Sequence, residues 1–205
     1  MLNYYPISTS PSCQIYKRGL NDTYLVTTEQ EKYILRVYRC GWRTKEEIDF
    51  ELELLAFLHE QKQPVAYPLK RENGSFTTVV AAPEGKRYAA VFSYAPGRAV
   101  NENLNGRQSQ YLGKALANIH KTLDSFKSSF SRPTLSSEYL LDRSMEAITS
   151  LSFANAPLYK YRSSDIDYLK NQIKKIKIQL ELQLPNLAPT YGICVGDVHS
   201  GRATA

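Results

Sequence analysis

A change of pattern at Ala95-Pro96-Gly97 divides the chain into two parts of different character. Before it, short runs rich in Tyr, Ile, Val and Thr are separated by turn residues, which predicts β-strands. The predicted strands cover residues 14–18, 23–28, 32–39, 75–82 and 87–94. After it, apolar residues recur at helical spacing over residues 108–126, 137–151 and 164–184. The sequence therefore predicts an α+β protein, with a β-rich part over residues 1–95 and a mainly helical part over residues 96–205.

One helix is predicted inside the β-rich part, and a single carboxylate on it is unusual. Thr44 and Glu47 form a capping-box pattern that predicts the start of this helix. Glu51 falls on the same face as Ile48 and other apolar residues, whereas an outer charged face is predicted at Glu46, Asp49, Glu53 and Glu60. A carboxylate on a core-facing stripe is costly unless it is paired. Arg36 on the preceding strand is the nearest candidate partner. The alternatives are a partly exposed Glu51 and a solvent-facing Arg36.

The charge of the chain leaves three functional interpretations open. The formal net charge of +6 suits a nucleic-acid binder, an enzyme for polyanionic substrates, or simply a basic solvated surface. The densest basic group lies on a predicted helix and no nucleic-acid motif accompanies it, so no nucleic-acid partner is expected. Residues at the N-terminus lack the pattern of a signal peptide, and no apolar run is long enough to span a membrane, so no membrane partner and a cytoplasmic location are expected. Cys13, Cys40 and Cys194 suggest neither a disulfide framework nor a metal site.

Phosphoryl transfer needs few chemical groups, and the chain offers candidates for several of them. The reaction requires a cation on the phosphates, a carboxylate that holds this cation, and a carboxylate near the attacking hydroxyl. Arg36 and Glu51 fit the first two requirements. Asp197 follows a predicted strand over residues 191–195 and lies in a glycine-flanked loop, so it is the candidate for the third, with a turn-forming Asp as the alternative. The turn at residues 19–22 fits a phosphate-covering loop or a plain hairpin. His120 is expected to be structural.

Taken together, these residues resemble the aminoglycoside phosphotransferase and choline kinase superfamily. The strand motif at residues 34–37, Glu51, the hinge-like stretch at 92–97 and the helix motif at 112–120 occur in the order seen in that family. The family's signature loop, H-G-D-x-H-x-x-N, corresponds here to residues 195–202, with Asp197 at the position of the motif's Asp. The resemblance covers nearly the whole chain.

The resemblance implies a protein-kinase-like bilobal fold that uses ATP and Mg²⁺ to phosphorylate a hydroxyl of a small molecule. Asp197 would then accept or orient the hydroxyl proton. Nucleotide contacts would come from Arg36, held by Glu51, from Asn21 in the turn, and from the backbone of Ser93, Tyr94 and Ala95.

Two departures from the family pattern matter for catalysis. Val195 stands where the family has His, and Arg202 stands where it has the metal-binding Asn. By the resemblance, a second metal-binding Asp and the helices that choose the acceptor would follow residue 205, so the chain is expected to be truncated within the catalytic loop and to hold no complete metal site. A catalytically inactive fragment or pseudokinase-like module, which retains at most nucleotide binding, is therefore the alternative function.

Overall fold

The computed structural model describes residues 1–7, 11–97, 104–153, 161–185 and 191–196. Its described part contains a five-stranded antiparallel sheet and several helices, which confirms the α+β class. The chain forms two compact units, one of Met1–Arg132 with Gly192–Ala205 and one of Pro133–Tyr191. The predicted boundary between residues 95 and 96 stays a prediction.

Five short strands form one sheet in the first unit. Strand runs and turn chemistry predicted all five, with boundaries shifted by a few residues. The strands are β1 (Ser12–Lys17), β2 (Asp22–Thr27), β3 (Lys32–Val37), β4 (Thr78–Ala82) and β5 (Gly85–Ser93). Their order across the sheet is β1-β2-β3-β5-β4, and every neighbouring pair is antiparallel. Gly85 opens β5 with a φ of +124°, a conformation that favours glycine in the β4–β5 turn.

The α-helices in the described residues are α1 (Lys45–Glu60) and α2 (Gly106–Leu123) in the first unit and α3 (Arg143–Phe153) and α4 (Ser163–Gln183) in the second. A short 3-10 turn at Leu2–Tyr4 and a π-helical turn at Glu138–Asp142 complete the described helical segments. The predicted capping box of α1 is confirmed, because Thr44 Oγ1 accepts from the Glu47 N–H at 3.2 Å and the Glu47 carboxylate accepts from the Thr44 N–H at 2.8 Å. No helix in the described ranges is both long and apolar enough to cross a membrane.

The two faces of the sheet bury different side chains because residues alternate along each strand. On what we call the outer face, an apolar cluster consists of Tyr5, Val26, Leu35, Val37, Ala89 and Val91. On the inner face, α1 packs against the sheet in a second cluster, which consists of Tyr38, Ile48, Leu52, Ala90 and Phe92. A third cluster of Leu58, Ile119 and Leu123 joins α1 to α2. The sheet and α2 therefore fix α1 from two directions.

Two sequence expectations about local structure were wrong. The stretch 191–195 is not a strand, since Val195 directs its N–H to the side chain of His120 at 3.1 Å rather than to a neighbouring strand. Asp49 was expected on an exposed charged face, but it is only 7% exposed. Thr77, from the segment before β4, donates to the Asp49 carboxylate at 3.4 Å, and Lys45 pairs with it. A helix pattern alone does not reveal which distant segment will cover its polar face.

Candidate functional site

An ion pair between β3 and α1 forms the centre of the candidate site. Arg36 lies on the inner face of β3, and its Nη1 donates to Glu51 Oε1 at 2.9 Å, which confirms the predicted pair. The capping box sets the start of α1 and thereby the face on which Glu51 falls. The two side chains keep 33% and 29% of their surface exposed. The guanidinium is therefore oriented by a carboxylate while part of it stays accessible to a ligand.

Aromatic side chains surround the Arg36 guanidinium on its protein side. Its central carbon lies 4.7 Å from the centre of the Phe92 ring and 5.9 Å from the centre of the Tyr38 ring. Tyr38 is 4% exposed, and burial is the main cause that raises the pKa of its hydroxyl. Within the described residues this hydroxyl does not complete a hydrogen bond, which costs about 1–3 kcal/mol for a buried polar group. Tyr38 was not predicted as a site residue, although its position two residues after Arg36 indicates that both side chains lie on one face.

The turn at residues 19–22 is anchored at its base rather than left free. Asn21 Oδ1 accepts from the Arg39 N–H at 3.1 Å, so its side chain holds the end of β3. Asp22 pairs with Arg87 of β5 at 2.8 Å. Arg87 also donates to the Tyr38 carbonyl at 2.8 Å and to the Val37 carbonyl at 3.1 Å. The turn is thus fastened to β3 and β5. This role of Arg87 was not predicted, because its partners lie far away along the chain.

The stretch expected to read an adenine base follows directly from β5. Ser93 ends this strand, and its N–H donates to the Tyr67 carbonyl at 2.9 Å. The Ser93 hydroxyl in turn accepts from the Tyr67 N–H at 3.0 Å. Tyr94 and Ala95 continue the chain, with the Lys32 ammonium 5.8 Å from the centre of the Tyr94 ring. Ser93 is therefore occupied by the neighbouring segment, while Tyr94 and Ala95 extend beyond the ladder.

The segment after α2 packs against α1 and contacts it at several residues. Phe126 makes an edge-on contact with Phe50, with ring centres 5.6 Å apart, and a tilted contact with Phe57 at 5.3 Å. Ser131 donates to Glu46 through its hydroxyl at 2.8 Å and its N–H at 3.1 Å. These contacts bear on the site because they limit movement of the helix that carries Glu51.

The candidate catalytic Asp197 lies outside the described residues, as do His199 and Arg202. The two preceding residues are described, and the Val195 N–H donates to Nε2 of His120 on α2. His120 therefore makes a structural hydrogen bond to the chain two residues before Asp197, in line with the structural role expected for it. In the described part of the chain, no group of three His, Cys, Asp or Glu side chains is placed to hold a metal ion.

This arrangement has a defined chemical capacity. An accessible guanidinium backed by a carboxylate binds a phosphate oxygen with charge-assisted hydrogen bonds. Along β3, Val37 pairs with Asp22 of the turn and Tyr33 pairs with Ser93, so the turn and the segment after β5 lie on opposite sides of Arg36 in the strand register. A β-sheet with one helix on its inner face, carrying such a pair, is the constellation of a kinase-like phosphotransferase.

Comparison with known proteins identifies the family. Residues 14–201 match the phosphotransferase enzyme family. The chain therefore belongs to that family. It is 42% identical over 202 residues to an uncharacterized protein of Synechocystis sp., with 98% of this chain and 54% of the relative covered. It is 34% identical over 197 residues to an uncharacterized protein of Deinococcus radiodurans, with 95% and 54% covered. The chain thus spans about half the length of the curated relatives it matches.

Solved structures share the fold. An amicoumacin kinase in complex with AMP-PNP, Ca²⁺ and its ligand aligns with a TM-score of 0.63 at 21% identity, covering 84% of this chain and 49% of that one. A microcompartment-associated aminopropanol kinase aligns with a TM-score of 0.57 at 24% identity, covering 74% and 52%. A spectinomycin phosphotransferase in complex with ADP and spectinomycin aligns with a TM-score of 0.56 at 19% identity, covering 100% and 62%. At these identities the likeness confirms the predicted kinase-like fold, of which this chain covers part.

Proposed function

We propose that this chain is the nucleotide-binding part of an ATP-dependent kinase that phosphorylates a hydroxyl group of a small molecule. The Arg36–Glu51 pair carries the proposal, with its 2.9 Å contact between β3 and α1. In kinases a strand cation held by a helix carboxylate grips the phosphates and neutralises the charge that develops during transfer. Family membership supports the reaction class, and the solved neighbours include complexes with ADP and AMP-PNP.

In the proposed complex the nucleotide lies against the inner face of the sheet. Its phosphates contact Arg36 beneath the turn at residues 19–22. Leu25 stands opposite Ile34 in the register of β2 and β3, and both belong to the same sheet face, which suits an apolar roof for the base. Since the Ser93 N–H is already donated to Tyr67, the backbone of Tyr94 and Ala95 would supply the edge that reads adenine.

The remaining roles follow from the family resemblance. Asp197 would accept or orient the proton of the attacking hydroxyl. A bound Mg²⁺ would supply positive charge that offsets the charge of the phosphates. No group of three His, Cys, Asp or Glu side chains among the described residues is placed to hold this ion, and no step is assigned to it. The acceptor would be a small hydroxylated molecule, and we expect a cytoplasmic location.

The proposal is tested by measuring the affinity of the purified chain for ADP with isothermal titration calorimetry. Replacing Arg36 with Ala should weaken binding by roughly tenfold or more, because about 1.4 kcal/mol of lost interaction changes an affinity tenfold. Arg36→Lys should recover only part of the loss, since an ammonium lacks the planar fork of a guanidinium. Lys174→Ala is the matched control, because it removes the same charge from an exposed position on α4. Equal ADP affinity in Arg36→Ala and the wild type would refute the site.

An activity assay distinguishes the proposed kinase from the alternative function, which is nucleotide binding without phosphoryl transfer. It is favoured by Arg202, a permanent cation at the position where the family has a metal-binding Asn. ATP consumption by the purified chain is measured with Mg²⁺ and a panel of hydroxylated small molecules. Acceptor-dependent turnover that Asp197→Asn abolishes supports the kinase. ADP binding without turnover supports the inactive alternative.

A further inference from the structure

Tyr38 has a hydroxyl group that the fold buries next to the Arg36–Glu51 pair. Only 4% of the residue is exposed, and its N–H donates to the Tyr88 carbonyl at 2.8 Å, so the backbone is fixed. The ring packs in the inner cluster together with Ile48, Leu52, Ala90 and Phe92. Packing alone accounts for the ring but not for the hydroxyl. A phenylalanine would fill the same space without burying a polar atom.

Both charges of the ion pair act on this hydroxyl. Burial raises the pKa of Tyr38 most, the Glu51 carboxylate raises it further, and the Arg36 guanidinium lowers it. The phenol therefore stays protonated at neutral pH and remains a hydrogen-bond donor. The hydroxyl is close enough to Arg36 and Glu51 for side-chain hydrogen bonding with each to influence its pKa, but among the described residues it satisfies the full distance and angle of a hydrogen bond with neither.

The proposed function makes two demands on Arg36 that compete. In the nucleotide-free structure its Nη1 donates to Glu51. A guanidinium has five N–H donors, so a phosphate would bind those that Glu51 does not use. Movement of the guanidinium toward the phosphate would lengthen the Nη1 contact and leave the carboxylate less fully hydrogen-bonded. Glu51 is about two-thirds buried, and a carboxylate in that position is costly without a partner. A second donor close to Glu51 would offset this cost.

We propose that Tyr38 is this second donor, a positioning residue whose hydroxyl bonds to Glu51 when Arg36 turns toward the phosphates of a bound nucleotide. The inference rests on the proposed function and adds to it. The hydroxyl completes no hydrogen bond among the described residues of the nucleotide-free structure and would complete one on binding. Only a hydroxyl at this place can donate to Glu51. The ring itself is held by its packing both with and without nucleotide.

The variant Tyr38→Phe removes the hydroxyl and keeps the ring. The midpoint of thermal unfolding without nucleotide should be unchanged or raised, because a buried unpaired polar atom is lost. The dissociation constant for ADP should rise about tenfold, which corresponds to the loss of one charge-assisted hydrogen bond. In a Glu51→Gln background the same substitution should change ADP affinity much less, because the charged acceptor is gone. Tyr88→Phe, on the neighbouring strand and in the same cluster, is the matched control and should leave both quantities unchanged.

Each outcome decides a different question. A lowered unfolding midpoint in Tyr38→Phe would mean that the hydroxyl already has a partner in the nucleotide-free protein, which overturns the inference. Unchanged ADP affinity in Tyr38→Phe, beside a wild type that binds ADP, would overturn the inference and leave the proposed function intact. A folded wild type that binds no ADP would remove the proposed function together with this inference.

Discussion

Leu35 and Arg36 are consecutive residues on β3, yet they face surroundings of opposite character. Leu35 is 4% exposed and lies in the outer apolar cluster with Val26 and Val91. Arg36 faces the inner side, where it is one-third exposed and paired with Glu51. Strand alternation produces this separation, because a shift of one residue exchanges the two faces. The outer face holds the sheet together, and the inner face carries the charged groups suited to a ligand.

One buried tyrosine hydroxyl on each face of the sheet allows a second comparison. On the outer face the buried Tyr5 hydroxyl donates to the Phe76 carbonyl at 2.9 Å and contacts the Thr78 hydroxyl at 3.1 Å. On the inner face the Tyr38 hydroxyl completes no such bond within the described residues. Local cost of this kind is typical of functional positions, where groups are arranged for a partner that arrives later. This difference between the two hydroxyls agrees with the site that we propose on the inner face.

The largest expected effect is a loss of stability from the outer face. Replacing Leu35 with Ala should lower the free energy of unfolding by about 2–5 kcal/mol, the range for a buried leucine whose removal leaves a cavity. ADP affinity of the folded protein should stay unchanged, because Leu35 faces away from the site. Chemical unfolding followed by circular dichroism measures the first quantity, and calorimetry at a temperature where the variant is folded measures the second.

Arg36→Ala should give the reverse result and serves as the matched neighbour. Loss of a partly exposed ion pair changes stability by roughly 0–1 kcal/mol, whereas nucleotide affinity should fall. If Leu35→Ala weakened ADP binding in folded protein as strongly as Arg36→Ala, the separation of the two faces would be wrong.

A smaller effect on stability should appear at alkaline pH. The pKa values of Tyr33 on β3 and of Tyr38, just after β3, are both raised, but for different reasons. Burial dominates for Tyr38, but a hydrogen bond to the Glu31 carboxylate is the first cause that raises the pKa of Tyr33 to about 12 from 10.0. The folded state therefore favours the protonated Tyr33 phenol. This stabilisation is fully present below pH 10 and is lost as the pH rises toward 12.

The difference in unfolding free energy between the wild type and Tyr33→Phe measures this contribution. The wild type should lose more stability than the variant between about pH 10 and about pH 12, by a small amount because the Tyr33–Glu31 hydrogen bond is exposed to solvent. Parallel pH profiles for the two proteins would show that the Tyr33–Glu31 hydrogen bond adds nothing.

Local signals predicted much of the fold and the central pair. The capping box at Thr44 fixed the phase of α1, and alternation fixed the face of Arg36, so their combination predicted the contact with Glu51. Both signals act within a few residues, where geometry follows directly from the backbone period. The order of strands and helices, together with the motif resemblance, predicted the fold and the family.

Contacts between distant segments could not be predicted in the same way. The pairing of Asp22 with Arg87 and the covering of Asp49 by Thr77 depend on tertiary packing that leaves no periodic trace. The predicted strand over residues 191–195 failed for a related reason. Its apolar composition suits a strand, but the chain there bonds to a helix side chain, His120.

The central claim is that Glu51 serves the nucleotide through Arg36. A double-mutant cycle with Arg36→Ala, Glu51→Gln and the double variant, measured by calorimetric titration of ADP, tests this claim most directly. The account predicts that each single change weakens binding and that the double variant binds no more weakly than Arg36→Ala alone. Losses that simply add, with each residue contributing independently, would contradict it.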